Sequence, residues 1–115
     1  MGYYSLMDFK VKILKDKIKE CAKFIEKRVQ ELSEGYVVWH LRNITEIDAH
    51  GNVKFDEHFC KWYHEVDFLY ELLPYLDNGK VIFNGEDGDV WGYEITDGKL
   101  HCLSIEYRRA EEIKV

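Results

Sequence analysis

No apolar run in this 115-residue chain approaches the ~20 residues that a membrane-spanning helix needs. The N-terminus also lacks the short apolar core and small-residue cleavage site of a secretory signal. Cysteine is scarce and unpaired: Cys21, Cys60 and Cys102 are an odd number with no Cys-x-x-Cys among them, which reads as free thiols in a reducing cytoplasm. No Gly-rich phosphate loop is present, and neither is the basic aromatic strand motif of RNA-binding domains. Nucleotide hydrolysis, direct nucleic-acid binding and membrane binding are therefore set aside. No cofactor is expected.

What is present is apolar, aromatic and acidic. Hydrophobic residues make up 46% and aromatics 15%, which argues for a folded chain. The length suits one domain with a single core, spanning residues 1–115. The net charge of −6 is unevenly spread. Residues 1–45 hold nine Lys/Arg and six Asp/Glu, whereas residues 46–107 hold four Lys/Arg and fourteen Asp/Glu, a local net of −10. Such a field repels nucleic acid and speeds encounter with basic protein surfaces. It also serves solubility.

Hydrophobic periodicity gives the elements. Met7, Phe9, Val11 and Ile13 alternate with polar residues, the pattern of a half-buried strand. Leu14, Ile18, Cys21, Ile25, Val29 and Leu32 then recur at helical steps, with Asp16 as a plausible cap and Gly35 as a plausible terminator. Lys15, Lys19, Lys23 and Lys27 form a stripe on this helix, interrupted by acids and read as a solvated face. Tyr36 to Ile47 is predicted as a strand with Val37, Trp39 and Leu41 on one face. Ala49 to Asn52 make a turn, and Val53, Phe55 and Phe59 alternate along a returning strand. A second helix starts near His64 and ends or kinks near Leu73, because Pro74 cannot continue it.

Lys80 to Arg108 reads as a three-stranded antiparallel meander. Asp97-Gly98 supplies the positive φ angles of a two-residue hairpin turn. That register sets Ile95 against Leu100, Tyr93 against Cys102 and Trp91 against Ser104 on the core side. Glu94 faces His101, Gly92 faces Leu103 and Val90 faces Ile105 on the other. Gly92 admits a large neighbour or marks a bulge. The order of elements predicts an α+β fold: a ferredoxin-like split β-α-β sheet (βαββαβ) with an added C-terminal β-hairpin beside its fourth strand. Two helices cover one face of this antiparallel sheet, and the other face is open. Trp39, Tyr93 and Tyr107 are candidates to lie near it.

Three surfaces are candidates for function. The first is acidic: Glu86, Asp87 and Asp89 in the turn Asn84 to Asp89, with Glu94 on the following strand. This surface suits a basic protein partner, including one that itself binds nucleic acid. The turn is also weighed as a cation loop, but its spacing does not match the twelve-residue calcium pattern. The second is His58, Cys60 and His64, three ligand types that suit zinc, or a Cys/His enzyme, although the spacing is that of no recognised zinc module. The third is the open sheet face itself, through which two copies would associate as a homodimer.

One resemblance bears on these alternatives. Met1-Gly2-Tyr3-Tyr4-Ser5 resembles the opening of a loose set of small uncharacterised proteins of bacteria and their phages. Leu73-Pro74-Tyr75-Leu76, the run Phe83 to Tyr93 containing Gly85-Glu86-Asp87-Gly88, and Asp97-Gly98-Lys99 are similar to the C-terminal halves of such proteins. The resemblance covers under half of the chain. It implies a bacterial or phage origin and an α+β domain, with no reaction and no site residues. In that setting the sharpest form of the first alternative is a non-enzymatic, phage-encoded inhibitor of a host defence or nucleic-acid-handling protein, acting in the host cytoplasm.

Overall fold

The computed structural model describes residues 3–103. Its largest sheet has five antiparallel strands in the order β4-β1-β5-β6-β7. Here β1 is Ser5–Lys10, β4 Phe59–Cys60, β5 Gly79–Gly85, β6 Val90–Thr96 and β7 Lys99–Leu103. A separate hairpin pairs β2 (Ile44–Ile47) with β3 (Val53–Phe55). The helices are α1 (Ile18–Glu31), α2 (Tyr36–Arg42) and α3 (Glu65–Leu72). No helix among the described residues is long and apolar enough to cross a membrane.

The meander forms with the register that Asp97-Gly98 dictates. Ile95 pairs with Leu100, Tyr93 with Cys102, Glu94 with His101 and Gly92 with Leu103. Asp97 and Gly98 sit at φ 51 and 75, as a primed two-residue turn requires. The ladder runs through Gly92 without a bulge. The pairings expected at Ser104 and Ile105, and Tyr107, lie outside the described residues.

Alternation then sorts the sheet into two faces. Met7, Val81, Phe83 and Ile95 are buried on one face, with Phe9, Trp91, Tyr93 and Leu100 packed beside them. Against this face lie Cys21, Ile25 and Val29 of α1, Leu41 of α2, and Phe68, Leu69 and Leu72 of α3. Three helices, rather than the expected two, supply the cover. Arg28 of α1 grips Glu71 of α3 through two nitrogens, Nε at 3.1 Å and Nη2 at 2.8 Å from Oε1. Tyr93 sits on the covered face with its hydroxyl donating to Glu65. On the face that no described helix covers, the exposed large apolar side chains are instead Tyr4, Leu6 and Phe59.

The main departure from expectation is Tyr36–Arg42, which is helical. A strand would bury Val37, Trp39 and Leu41 together. The structure buries Val38, His40 and Leu41 and leaves Trp39 59% exposed. Apolar residues at 37, 38 and 41 also satisfy a helix, and tertiary burial overrides the strand preference of β-branched and aromatic residues. The second strand of the split β-α-β arrangement is consequently missing from the main sheet.

Smaller shifts have local causes. The first strand ends at Lys10, because Ile13 bonds to Gly51 and bridges Leu76 instead of continuing the ladder. Asp16 makes no capping bond and lies in a 3-10 turn, Lys15–Lys17, ahead of α1. Helix α1 stops at extended Leu32, while Gly35, at φ 116, leads into α2. Pro74 falls in a 3-10 turn, Leu73–Tyr75, just after α3, as its missing N–H requires.

Candidate functional site

Around the end of the sheet where β1 begins, four separate stretches of chain enclose a groove of about 430 Å³. Tyr4, just before β1, forms one wall together with Cys60 and Lys61 at the end of β4. Trp39, Arg42 and Asn43, from the end of α2, form the other, and Asp56 and Glu57 close it. The Lys61 ammonium lies 5.7 Å from the centre of the Tyr4 ring, close enough for a cation–π contact. Tyr4 also packs on Phe59, with centroids 5.4 Å apart.

Asn43 fixes the walls relative to each other. Its Nδ2 donates to the Glu57 carbonyl at 2.6 Å and its Oδ1 accepts from the Glu57 N–H at 2.8 Å, as a neighbouring strand would. Its own carbonyl accepts from the Asp56 N–H at 2.8 Å. Beneath lies His40, 2% exposed, its ring 4.6 Å from that of Trp62. His40 Nε2 is 2.7 Å from the Tyr63 carbonyl. A carbonyl only accepts, so Nε2 carries the proton of a neutral ring.

Burial lowers the His40 pKa, with repulsion from His64 adding to it and the Tyr63 bond opposing it. The unfolded chain therefore takes up this proton at a higher pH than the folded one. The stability that neutral His40 contributes is complete above the unfolded value of about 6.5 and is lost as pH falls below it. Thermal melts from pH 7.5 to pH 5 should show a declining midpoint for the wild type and a smaller decline for His40→Gln. Equal slopes would mean that His40 does not carry the effect.

Nucleophilic chemistry at Cys60 is disfavoured on physical grounds. Burial, aided by the Glu57 charge, pushes the thiol up to about 11, so it stays protonated at neutral pH. Nor do His58, Cys60 and His64 converge. His58 Nδ1 is 3.3 Å from the Met7 carbonyl, and its ring packs against Phe55. His64 takes a left-handed conformation, φ 57, ahead of α3, with Nδ1 3.5 Å from Asp67 Oδ2. Among the described residues no group of three or more His, Cys, Asp or Glu side chains is placed to hold a metal ion. The reason is Trp62. It is drawn into the core between the two histidines, where its Nε1 donates to the His58 carbonyl.

The acidic turn flanks the same end of the sheet. The Glu86 N–H donates to the Tyr4 carbonyl at 3.0 Å, joining the turn to the groove wall. Glu86 and Asp89 are exposed. Asp87, equally exposed, also holds the turn in shape. Its Oδ1 accepts from the Tyr3 hydroxyl and from the Asp89 N–H, and the Tyr3 bond is the main cause of its lowered pKa. Gly85 and Asp89 close the turn with a 2.7 Å backbone bond. Glu94 is not part of this group. It lies four residues beyond Val90, ~13 Å along β6, paired with Lys80 on one side and His101 on the other. The Lys15, Lys19, Lys23 and Lys27 stripe is exposed, and none of its residues lines the groove.

The groove is not legible in the sequence. Its residues come from four stretches, and Trp39 lies on a helix where the local pattern predicts a strand. The available signal is Gly35 followed by apolar residues at 37, 38 and 41. Comparison with protein-family models, with curated proteins and with solved structures returns no match.

Proposed function

We propose that the protein is a non-enzymatic protein-binding module. Its contact surface is the aromatic-walled groove together with the adjoining carboxylates of Glu86 and Asp89. The observation that carries the reading is the meeting of these two features at Tyr4, which lines the groove and accepts a bond from the acidic turn. Exposed Trp and Tyr are the residue types that anchor protein interfaces, and rim charge steers encounter and selects the partner. The partner that fits presents an apolar side chain to Trp39 and basic residues to the turn. A nucleic-acid-binding protein supplies such a surface, since carboxylates imitate phosphates. Inhibition of a host defence or nucleic-acid-handling protein by a phage product, in the host cytoplasm, is the most specific form of this proposal.

A capture experiment tests it. Immobilised protein should retain a partner at low salt and release it as salt rises. Glu86→Lys with Asp89→Lys should weaken retention by about three- to tenfold through lost steering and rim contacts. Trp39→Ala should weaken it about 30-fold, as loss of an interface anchor does. Its melting temperature should stay near the wild-type value, because the side chain is mostly exposed. Retention untouched by both changes would remove the proposal.

We also read β4, β1 and β5 with α1 and α3 as a ferredoxin-like split β-α-β unit whose second strand has left the sheet. Two observations support the reading. The strand before α3 and the strand after it both flank β1 antiparallel, and the added hairpin lies beside β5.

A further inference from the structure

The sheet face that no described helix covers has a layout that suits a second copy of itself. One row across the strands is Phe59, Leu6, Asn84 and Val90; the next is Asp8, Ile82, Gly92 and Leu103; the third is Lys10, Lys80, Glu94 and His101. Leu6 is 47% exposed and Phe59 53%, high values for apolar side chains that sit side by side on one sheet. Ile82, Val90 and Leu103 are half-buried on the same face. The strand β5 runs down the middle, with β1 on one side and β6 on the other.

From this symmetry we propose that two copies stack by their open sheet faces about a twofold axis along β5. That operation sets β1 of one copy over β6 of the other. Leu6 then meets Val90 of the second copy, and Ile82 meets Ile82. Lys10 meets Glu94, twice by symmetry. Asp8 falls over Gly92, where no side chain competes for space, and keeps its Lys10 contact at 3.4 Å. Lys80 falls over its own copy at the end of the patch, where the long stems let the two ammonium groups diverge into water. The twist between stacked sheets, about 30°, is within the reach of lysine and glutamate side chains.

The face bounds the size of the contact. Strands of two, six, seven, seven and five residues, at ~4.8 Å between strands and ~3.3 Å per residue, give about 430 Å² per copy in projection, or about 850 Å² for the pair. That area is below the range of stable specific interfaces, so the dimer expected is a weak, reversible one. This face adjoins the groove through Phe59, which packs on Tyr4, and dimerisation through it requires no other protein.

Sedimentation equilibrium from about 1 µM to 1 mM is the test, with a thermal melt of each variant confirming that it folds. The wild type should pass from monomer to dimer across that range. Ile82→Lys should remain monomeric throughout. Lys10→Glu and Glu94→Lys should each weaken association about tenfold, and the double variant should recover to within about threefold of wild type, because the reversed charges again face each other. A wild type that stays monomeric, which would leave the face to some other occupant, overturns the proposal. So does a dimer indifferent to Ile82→Lys, or a double variant as weak as the two single changes together.

Discussion

Trp62→Ala is expected to cost about 3–5 kcal/mol, a large part of the stability of a domain this size. Trp62 is 2% exposed and touches most of the aromatic core. Its ring centre lies 4.6 Å from that of His40 and about 6 Å from those of Phe55, Phe68 and Phe83. Alanine leaves a cavity bounded by side chains from β3, α2, α3 and β5. These sit on separate elements and cannot all collapse inward. Trp62→Phe should cost less, about 1–3 kcal/mol. It fills most of the space and loses the Nε1 bond to the His58 carbonyl, which still accepts from the Met7 N–H. Urea denaturation of the three proteins measures both losses. Equal, small losses would mean that Trp62 is not the hub of this core.

The second large effect is at Gly51. At φ 86, a Cβ there would lie 2.2 Å from the Ile13 carbonyl oxygen. The atoms it meets are all main chain, so no side chain can move aside. The same two residues are joined by a 2.8 Å bond from the Ile13 N–H to the Gly51 carbonyl, which docks the tip of the β2–β3 hairpin on the chain leaving β1. Gly51→Ala should therefore destabilise by about 3 kcal/mol or more, combining left-handed strain with the clash or the broken bond. Gly98 supplies the control: its φ is 75, and nothing lies within 4 Å of a Cβ built on it. Gly98→Ala should cost only the conformational preference, about 1–2 kcal/mol. If the two alanine variants melt together, the close approach at Gly51 is not structurally important.

Those two positions show what can and cannot be read from the chain. The turn at Gly51 and the hairpin at Asp97-Gly98 are legible because both need positive φ, and glycine states that need locally. The register of β6 and β7 follows from the hairpin loop length alone. Helix α1 is legible because its apolar period runs unbroken for over three turns. The seven residues of α2 are not, because a Tyr-Val-Val-Trp-His-Leu-Arg run satisfies strand preference locally, and only the buried partners of Val38, His40 and Leu41 decide otherwise.

The candidate site divides in the same way. The acidic turn is visible as composition, but the engagement of Asp87 by Tyr3, 84 residues earlier, is not. The separation of Glu94 from the turn follows from its place on β6. The histidine–cysteine segment suggests a shared site because its residues are near in sequence. The burial of Trp62 directs the chain so that they are not gathered in space. The groove depends on contacts between stretches far apart in the chain, such as Asn43 with Glu57, which no local pattern encodes.

The most direct test of the binding account is photo-crosslinking from chosen positions in the cells that make the protein. A crosslinking amino acid in place of Trp39 or of Glu86 should give a covalent adduct with the same partner protein, while one in place of Lys23, on the exposed stripe of α1, should give none. An adduct from position 23, with none from positions 39 and 86, would contradict the account.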